Sequence, residues 1–358
     1  MRSIITLLII CFGLATVHAQ SIDSLFALLE KQKTLDVEDA NELIRLLDEE
    51  EYADSLYRFT SESEQKEMRL RIYSNVAYYY YMKSAFQASV QLTEKAISLA
   101  QELRDTLAWS DNLAQQSISY QRLGNLEMAI RTTLDGLYLD SLLQDTLRLS
   151  STYNNLAGLY LTAQRPEDGK QYIDHAIELE HSQAHPEKLS IRYGMAAELY
   201  VKLGLLPEAL DFACKAYALD MKSGDTLKIA RRLSQMGDVY AAMQNLDEAE
   251  KVYRKSSELL ELLDERTSLA INYKQMGGLH IRKGNLSLAI RYLEKCATIA
   301  EEIGNKYLLR LVYEKLYRLY RPDRPALALE YMEKFSQLKD SLYTEKTNRL
   351  LSDYQVKY

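Results

Sequence analysis

The sequence predicts an all-α protein in which pairs of helices recur every forty residues and stack as a solenoid. Three observations predict it. The 358 residues include only 5 Pro and 13 Gly, while Leu, Ala, Glu, Lys, Arg and Gln abound, a balance that favours helix over turn. Set in rows of forty, the chain places Tyr80, Tyr120, Tyr160, Tyr200, Tyr240 and Tyr320 in one column, with His280 in the remaining row. Two further columns are small. Nine residues after the ring stand Ser89, Ala129, Gly169, Ala209, Ala249, Ala289 and Leu329; sixteen after it stand Ala96, Gly136, Ala176, Ala216, Ser256, Cys296 and Ser336. Small residues let two helices cross closely, and a ring fills the space beside the crossing.

The elements follow in chain order. Residues 1–19 read as a cleavable signal peptide. Arg2 gives the positive start, Ile4 to Ala15 the apolar stretch, and Val17-His18-Ala19 compact residues before a cut at Gln20. That stretch is shorter than the roughly 20 residues of a membrane span. Lipid attachment at Cys11 is not expected, because bulky Ile10 precedes it. The mature chain is therefore expected to be exported, with a periplasmic location. Export permits disulfides. Only Cys214 and Cys296 remain after the cut, two rows apart, further than the ~7 Å between Cα atoms that a bridge allows. Both are expected to be free, buried thiols.

Residues 20–63 carry two helical stripes, Ile22, Leu25, Phe26, Leu29 and then Val37, Ala40, Leu43, Ile44, Leu47. They read as a degenerate first repeat acting as a cap, with the acidic run from Asp48 to Glu51 as a solvated face. Seven rows follow, at about 64–104, 105–144, 145–184, 185–224, 225–264, 265–304 and 305–342. Asp105, Asp145, Asp225, Glu265 and Asn305 share the column that opens a row, and the Asp and Asn among them are good N-caps for a first helix. About nineteen residues later Gly124, Gly204 and Gly284 mark the turn into a second helix. In the fifth row Leu233, Met236, Gly237, Tyr240 and Met243 lie on one helical face, and Leu246, Ala249, Val252, Tyr253 and Ser256 on the partner. Neither stripe can be buried within one pair, so the next row must cover it. The second helix of row one looks poorly in register at Ala88 and Ser89, and Ala328 sits one place early, which implies a one-residue deletion at Arg321–Pro325. Residues 343–358 continue as a C-terminal helix without a further repeat.

The segments MGDVYAAMQNLDEAEKVY, MGGLHIRKGNLSLAIRYL and LAGLYLTAQRPEDGKQYI resemble tetratricopeptide repeats in a lengthened form, and the resemblance covers roughly 280 residues. It implies a right-handed α–α superhelix whose first helices line a concave face that binds proteins or peptides. An exported array with a forty-residue period and this terminal helix also resembles the periplasmic sensor portions of membrane-spanning regulators in Bacteroidetes-type bacteria. That resemblance implies a signalling or transcription-regulatory role, with a link to the membrane and effector through a further C-terminal region. The alternative is a stand-alone periplasmic adaptor for an envelope complex. The C-terminal helix is a candidate dimer contact.

Composition and motifs argue against chemistry. A net charge of −7 offers no basic surface to a nucleic-acid backbone. His181 and His185 stand one turn apart but lack a third ligand at a suggestive spacing, and His280 occupies the ring column as a core residue with one satisfied nitrogen. No glycine-rich phosphate loop is present. Neither enzyme activity, metal nor cofactor is expected. What remains is the inner face. Five residues before the ring column stand Asn75, Gln115, Asn155, Met195, Gln235, Gln275 and Lys315. A carboxamide offers both donor and acceptor, so five of them in a ladder suit the backbone of an extended peptide. The rival reading gives them to bonds between repeats. Tyr78, Arg122, Glu198, Asp238 and Arg282 complete the candidate peptide-binding set.

Overall fold

The computed structural model describes residues 62–181 and 185–339, and these residues divide into two compact units. Among the described residues every regular element is helical. The first unit runs to Ala163 and holds α1 (Glu62–Met82), α2 (Phe86–Leu103), α3 (Thr106–Leu123), α4 (Leu126–Leu143) and α5 (Thr146–Thr162). The second begins at Gln164 and holds α6 (Pro166–His181), α7 (Pro186–Lys202), α8 (Leu206–Ser223), α9 (Thr226–Ala242), α10 (Leu246–Leu262), α11 (Arg266–Arg282), α12 (Leu286–Glu302), α13 (Lys306–Tyr320) and α14 (residues 325–339). The expected signal peptide, N-terminal cap and terminal helix from 343 lie outside the described residues.

The caps explain where helices begin. Asp105, Asp145, Asp225 and Asn305 each accept a backbone N–H of the first turn that follows. Glu265 stands in the same column but its side chain makes no such bond; its carboxylate accepts Ser268 Oγ at 3.3 Å and pairs with Arg231 at 3.7 Å instead. Inside the pairs, Gly124 closes α3 at a φ of 78° and Gly204 follows α7 at 75°, a left-handed turn that an L side chain resists.

Packing alternates within each unit. In the first, α1 packs on α2 and α3 on α4, while α2 meets α3 and α4 meets α5. In the second, α7–α8, α9–α10 and α11–α12 form antiparallel pairs, and first helices also touch along α7, α9 and α11. The small columns sit at the crossings: Ser89, Ala96, Ala129, Ala209, Ala216, Ala249, Ser256, Ala289 and Cys296 are fully buried. So α2 is in register after all, with Ser89 rather than Ala88 at the crossing. In α14, Ala328 is buried and Leu329 exposed, as the one-residue deletion requires.

The ring column is a set of hooks. Tyr120 bonds Glu94, Tyr200 donates to Asp174 at 2.8 Å, and Tyr320 to Glu294 at 2.5 Å; each acid lies 26 residues back, on the preceding second helix. A second ring column lies seven residues earlier. There Tyr193 bonds His181 at 2.9 Å, while Tyr273 and Tyr313 donate to Glu261 and Glu301. This column, Tyr73, Tyr153, Tyr193, Tyr273 and Tyr313, adds five of the 27 Tyr to the six of the first column and is legible in the same rows of forty.

Three expectations need correction. Cys214 is exposed, and only Cys296 is buried. Two residues from Ala216 is about 200° around a helix, so Cys214 points away from the crossing. It occupies the hook position, opposite Tyr240, that carries an acid in other rows. Ser336, last of the small column, is exposed. Met243 is 37% exposed, because it follows the last residue of α9 and lies off the stripe. His280 is a core ring as expected, 1% exposed and stacked on Tyr292; the nitrogen without a hydrogen-bond partner is Nδ1.

A buried polar layer joins second helices to the next first helix. Asp140 accepts Ser110 Oγ at 2.6 Å, Thr152 Oγ1 at 2.7 Å and Arg148 Nε at 2.9 Å. Eighty residues on, Asp220 accepts Ser190 Oγ at 2.6 Å and Arg232 Nε at 2.9 Å. Between them, buried Glu180 and Arg192 pair at 3.6 Å. Removing one partner of such a pair strands a charge, a cost of about 3–5 kcal/mol.

Candidate binding trough

In the first unit, Asn75 and Tyr78 are exposed on α1, Arg122 on α3 and Asn155 on α5. Tyr78 stacks on Tyr81 with ring centres 6.4 Å apart, and Gln115 donates to Ser89 Oγ at 3.5 Å. In the second unit the first helices α7, α9, α11 and α13 bring the remaining candidates into two linked groups.

One group spans α7 and α9. Gln235 is buried and gives both amide hydrogens away, to Gly194 O and to Glu198 Oε1, each at 2.8 Å. Its Oε1 accepts from Arg232 Nη1 at 3.1 Å. Gln235 is thus spent on bonds between repeats. The neighbouring helices crowd Glu198 and raise its carboxyl pKa, a shift partly offset by the Gln235 bond and the Arg232 charge.

The other group spans α9, α10 and α11. Asp238 accepts Tyr253 Oη at one carboxylate oxygen and Gln275 Nε2 at the other, both at 2.6 Å. Gln275 Oε1 accepts Ser234 Oγ at 2.7 Å, so one N–H of Gln275 is uncommitted. The rear bond depends on a glycine. A Cβ at Gly237 would meet the Tyr253 ring at 2.4 Å, so only glycine lets that ring slide beneath α9 to reach Asp238. Crowding raises the Asp238 pKa to about 6, against the pull of the Tyr253 bond and with the help of the Glu198 charge. Tyr253 is raised too, by burial first and by Asp238 second.

These side chains border a recess of about 440 Å³, lined by Asp238, Ala241, Ala242, Tyr253, Gln275, Gly278, Leu279, Ile281, Arg282 and Lys315. Arg282 donates to Ala241 O at 2.6 Å. Lys315 Nζ lies 3.9 Å from where a Gly278 Cβ would stand. The candidate set omitted Tyr253, Ala241, Ala242, Gly278 and Lys315. The forty-residue rows held a signal: the columns of Gly278, Ala241 and Ala242 carry Tyr78, Tyr81 and Met82 in row one and Glu198, Val201 and Lys202 in row four. Among the described residues no three His, Cys, Asp or Glu side chains come together to hold a metal, and no helix is long and apolar enough to cross a membrane.

Residues 228–302, which contain most of this recess, match the family model of the tetratricopeptide repeat. These residues are tetratricopeptide repeats. Solved tetratricopeptide-like structures share the helix-pair fold over much of the chain. The apo form of the quorum sensor NprR from B. thuringiensis is 17% identical, with 89% of this chain and 94% of that one covered and a TM-score of 0.59. A Rap protein complexed with Competence and Sporulation Factor is 14% identical over 89% and 96%, at 0.54. A signal-transduction ATPase with a tetratricopeptide repeat sensor, from Pyrococcus horikoshii, is 16% identical over 94% of this chain and 54% of that one, at 0.53. At these identities the likeness is one of fold. No curated protein matches the chain by sequence. The tetratricopeptide fold generally serves as a non-catalytic binding scaffold.

Proposed function

We propose that the chain is an exported, non-catalytic tetratricopeptide scaffold that binds a peptide or extended protein segment and acts as the sensor part of a signalling or regulatory system. One observation carries the binding part. The recess on the first-helix face presents an uncommitted Gln275 N–H, the Arg282 guanidinium and the Lys315 ammonium beside a floor of Ala241, Ala242 and Gly278. Small residues admit a ligand, and the polar groups around them orient it. Two solved neighbours named as sensors, and a third solved with a bound factor, support the sensor reading. The apolar start of the chain supports export.

The test is capture from an envelope extract by the immobilised mature chain, read by mass spectrometry against variants. Gln275→Ala with Arg282→Ala gives up the bonds to Asp238, Ser234 and Ala241 O, so it is expected to lower stability about as much as Gln235→Ala does, and it alone is expected to lose the captured partner. Gln235→Ala is the structural control: it leaves Glu198 without its amide partner and lowers stability by about 1–3 kcal/mol. A partner held equally well by the double variant overturns the assignment of the trough.

A further inference from the structure

One second helix departs from the rest. α4 turns Ala129, Thr132, Thr133, Gly136, Leu139 and Asp140 inward. That leaves Leu134, Tyr138 and Leu142 on its outward side, four residues apart and 36%, 64% and 57% exposed. At the same columns row one carries Glu94, Ser98 and Glu102, and row six Glu294, Thr298 and Glu302. With row seven counted from its one-residue deletion, Leu262 is the one large apolar side chain that any other row places there. The three side chains of α4 form a ridge about 12 Å long on one face of the helix. Together they expose on the order of 300 Å², the size of the largest apolar patch that a typical monomer leaves in water.

The charges around the ridge select its occupant. Arg131 stands before it, Asp145 after it and Asp135 beside its middle, all exposed. A second α4 turned end for end about Tyr138 sets Leu134 against the partner's Leu142, Asp135 against the partner's Ser141 and Arg131 against the partner's Asp145. Asp145 has an oxygen for this pair, because both of its cap bonds end on Oδ1. A parallel second copy would instead set Arg131 on Arg131 and Asp135 on Asp135, and like charges so placed repel. Rows of residues four apart lie along each other when two helix axes cross at about 50°, so the two ridges can run side by side. An anionic lipid surface fits poorly, since Glu127, Asp135 and Asp145 outnumber Arg131.

We propose that the outward face of α4 is a homodimer interface, on which α4 of a second copy lies antiparallel with Tyr138 at the two-fold axis. The patch is self-complementary, as a two-fold contact requires. The proposal goes beyond the peptide-binding reading and does not depend on it. One helix pair buries less than the ~800 Å² per partner of a standard interface, so the dimer forms only as concentration rises.

Sedimentation equilibrium of the full mature chain, from about 1 to 300 µM, reads the assembly. The expected result is a monomer–dimer equilibrium with half the chain dimeric at about 10–100 µM. Tyr138→Glu and Leu142→Glu should each weaken it at least about ten-fold. The thermal midpoint of the dilute protein should stay put, since both side chains point to water. Cross-linking tests the two-fold axis in a Cys214→Ser background. Oxidised Tyr138→Cys should link to itself, whereas Leu134→Cys should link to Leu142→Cys in a mixture and not to itself. A dimer that survives both Glu variants forms through another face and overturns the proposal. So does a chain that stays monomeric throughout. Nitration of Tyr138, read by peptide mass, then separates a ridge covered by another segment of the same chain, which resists, from one that nothing covers, which reacts. Leu134→Cys linking to itself as fast as Tyr138→Cys overturns the antiparallel two-fold.

Discussion

At the scale of single residues, hydroxyls that look like core filling do a second task. Tyr120, Tyr200 and Tyr320 each reach an acid on the previous second helix, so a ring that packs one row also ties it to its neighbour. His280 breaks the column. No acid faces it at the hook position, which is Arg254, and burial lowers its pKa below 6.5, with Glu250 opposing and Lys283 and Arg254 assisting. The sign of the linkage follows. The unfolded chain takes up a proton near pH 6.5 and the folded chain resists it, so stability falls as pH drops through 6.5 and levels off below the depressed folded value. His280→Phe should therefore flatten the slope of unfolding free energy between pH 7.5 and 5.5, measured by urea unfolding. Asp238 works in the opposite direction, since its raised pKa of about 6 favours the folded state as the pH falls. The His280 effect is thus read as a difference between the two profiles; identical slopes would show that His280 does not titrate across the transition.

Between helices, the absence of a Cβ has opposite meanings at two glycines forty-one residues apart. Gly237 faces the ring of Tyr253, and Gly278 faces only the flexible tip of Lys315, 3.9 Å away. Gly237→Ala should cost about 1–3 kcal/mol by forcing Tyr253 aside. It should also weaken the bond to Asp238, seen as a downfield shift or broadening of the Tyr253 ring signals. Gly278→Ala should be neutral or stabilise by up to about 1 kcal/mol through helix propensity. Chemical denaturation of both variants decides the pair, and equal costs would contradict the assignment of Gly278 to a ligand recess. The same scale shows why the carboxamide ladder was half legible. A spacing of forty places Gln235 and Gln275 at equivalent positions, yet Gln235 lies within reach of Gly194 O and Glu198 and is consumed, while Gln275 keeps an N–H free. Periodicity assigns a face; it does not assign the neighbours across the groove.

For the molecule as a whole, the repeat explains how a chain with one Trp and 6 Phe builds a core. Alanine, leucine and tyrosine recur at each crossing, so each pair is sealed by the next and no large central core is needed. Export is the property at this scale that remains a proposal. Expressed in a Gram-negative host, the chain should be recovered from the envelope fraction with Gln20 as its first residue. Intact-mass measurement reads this directly, and a protein that keeps Met1 in the cytoplasm would overturn both the signal peptide and the periplasmic sensor reading.

Helix class, the forty-residue period, the pairing of helices and the small columns at their crossings could all be read from residue order, because they depend on side-chain volume and on local capping at fixed intervals. The buried Asp140, Glu180 and Asp220 layer, the exposure of Cys214 and the depth of the recess depended on which side chains meet from different rows. A carboxylate looks the same in a sequence whether water or an arginine satisfies it; folding around Arg148, Arg192 and Arg232 makes the difference. The recess is likewise a property of three missing side chains that become neighbours once α9, α11 and α13 lie side by side.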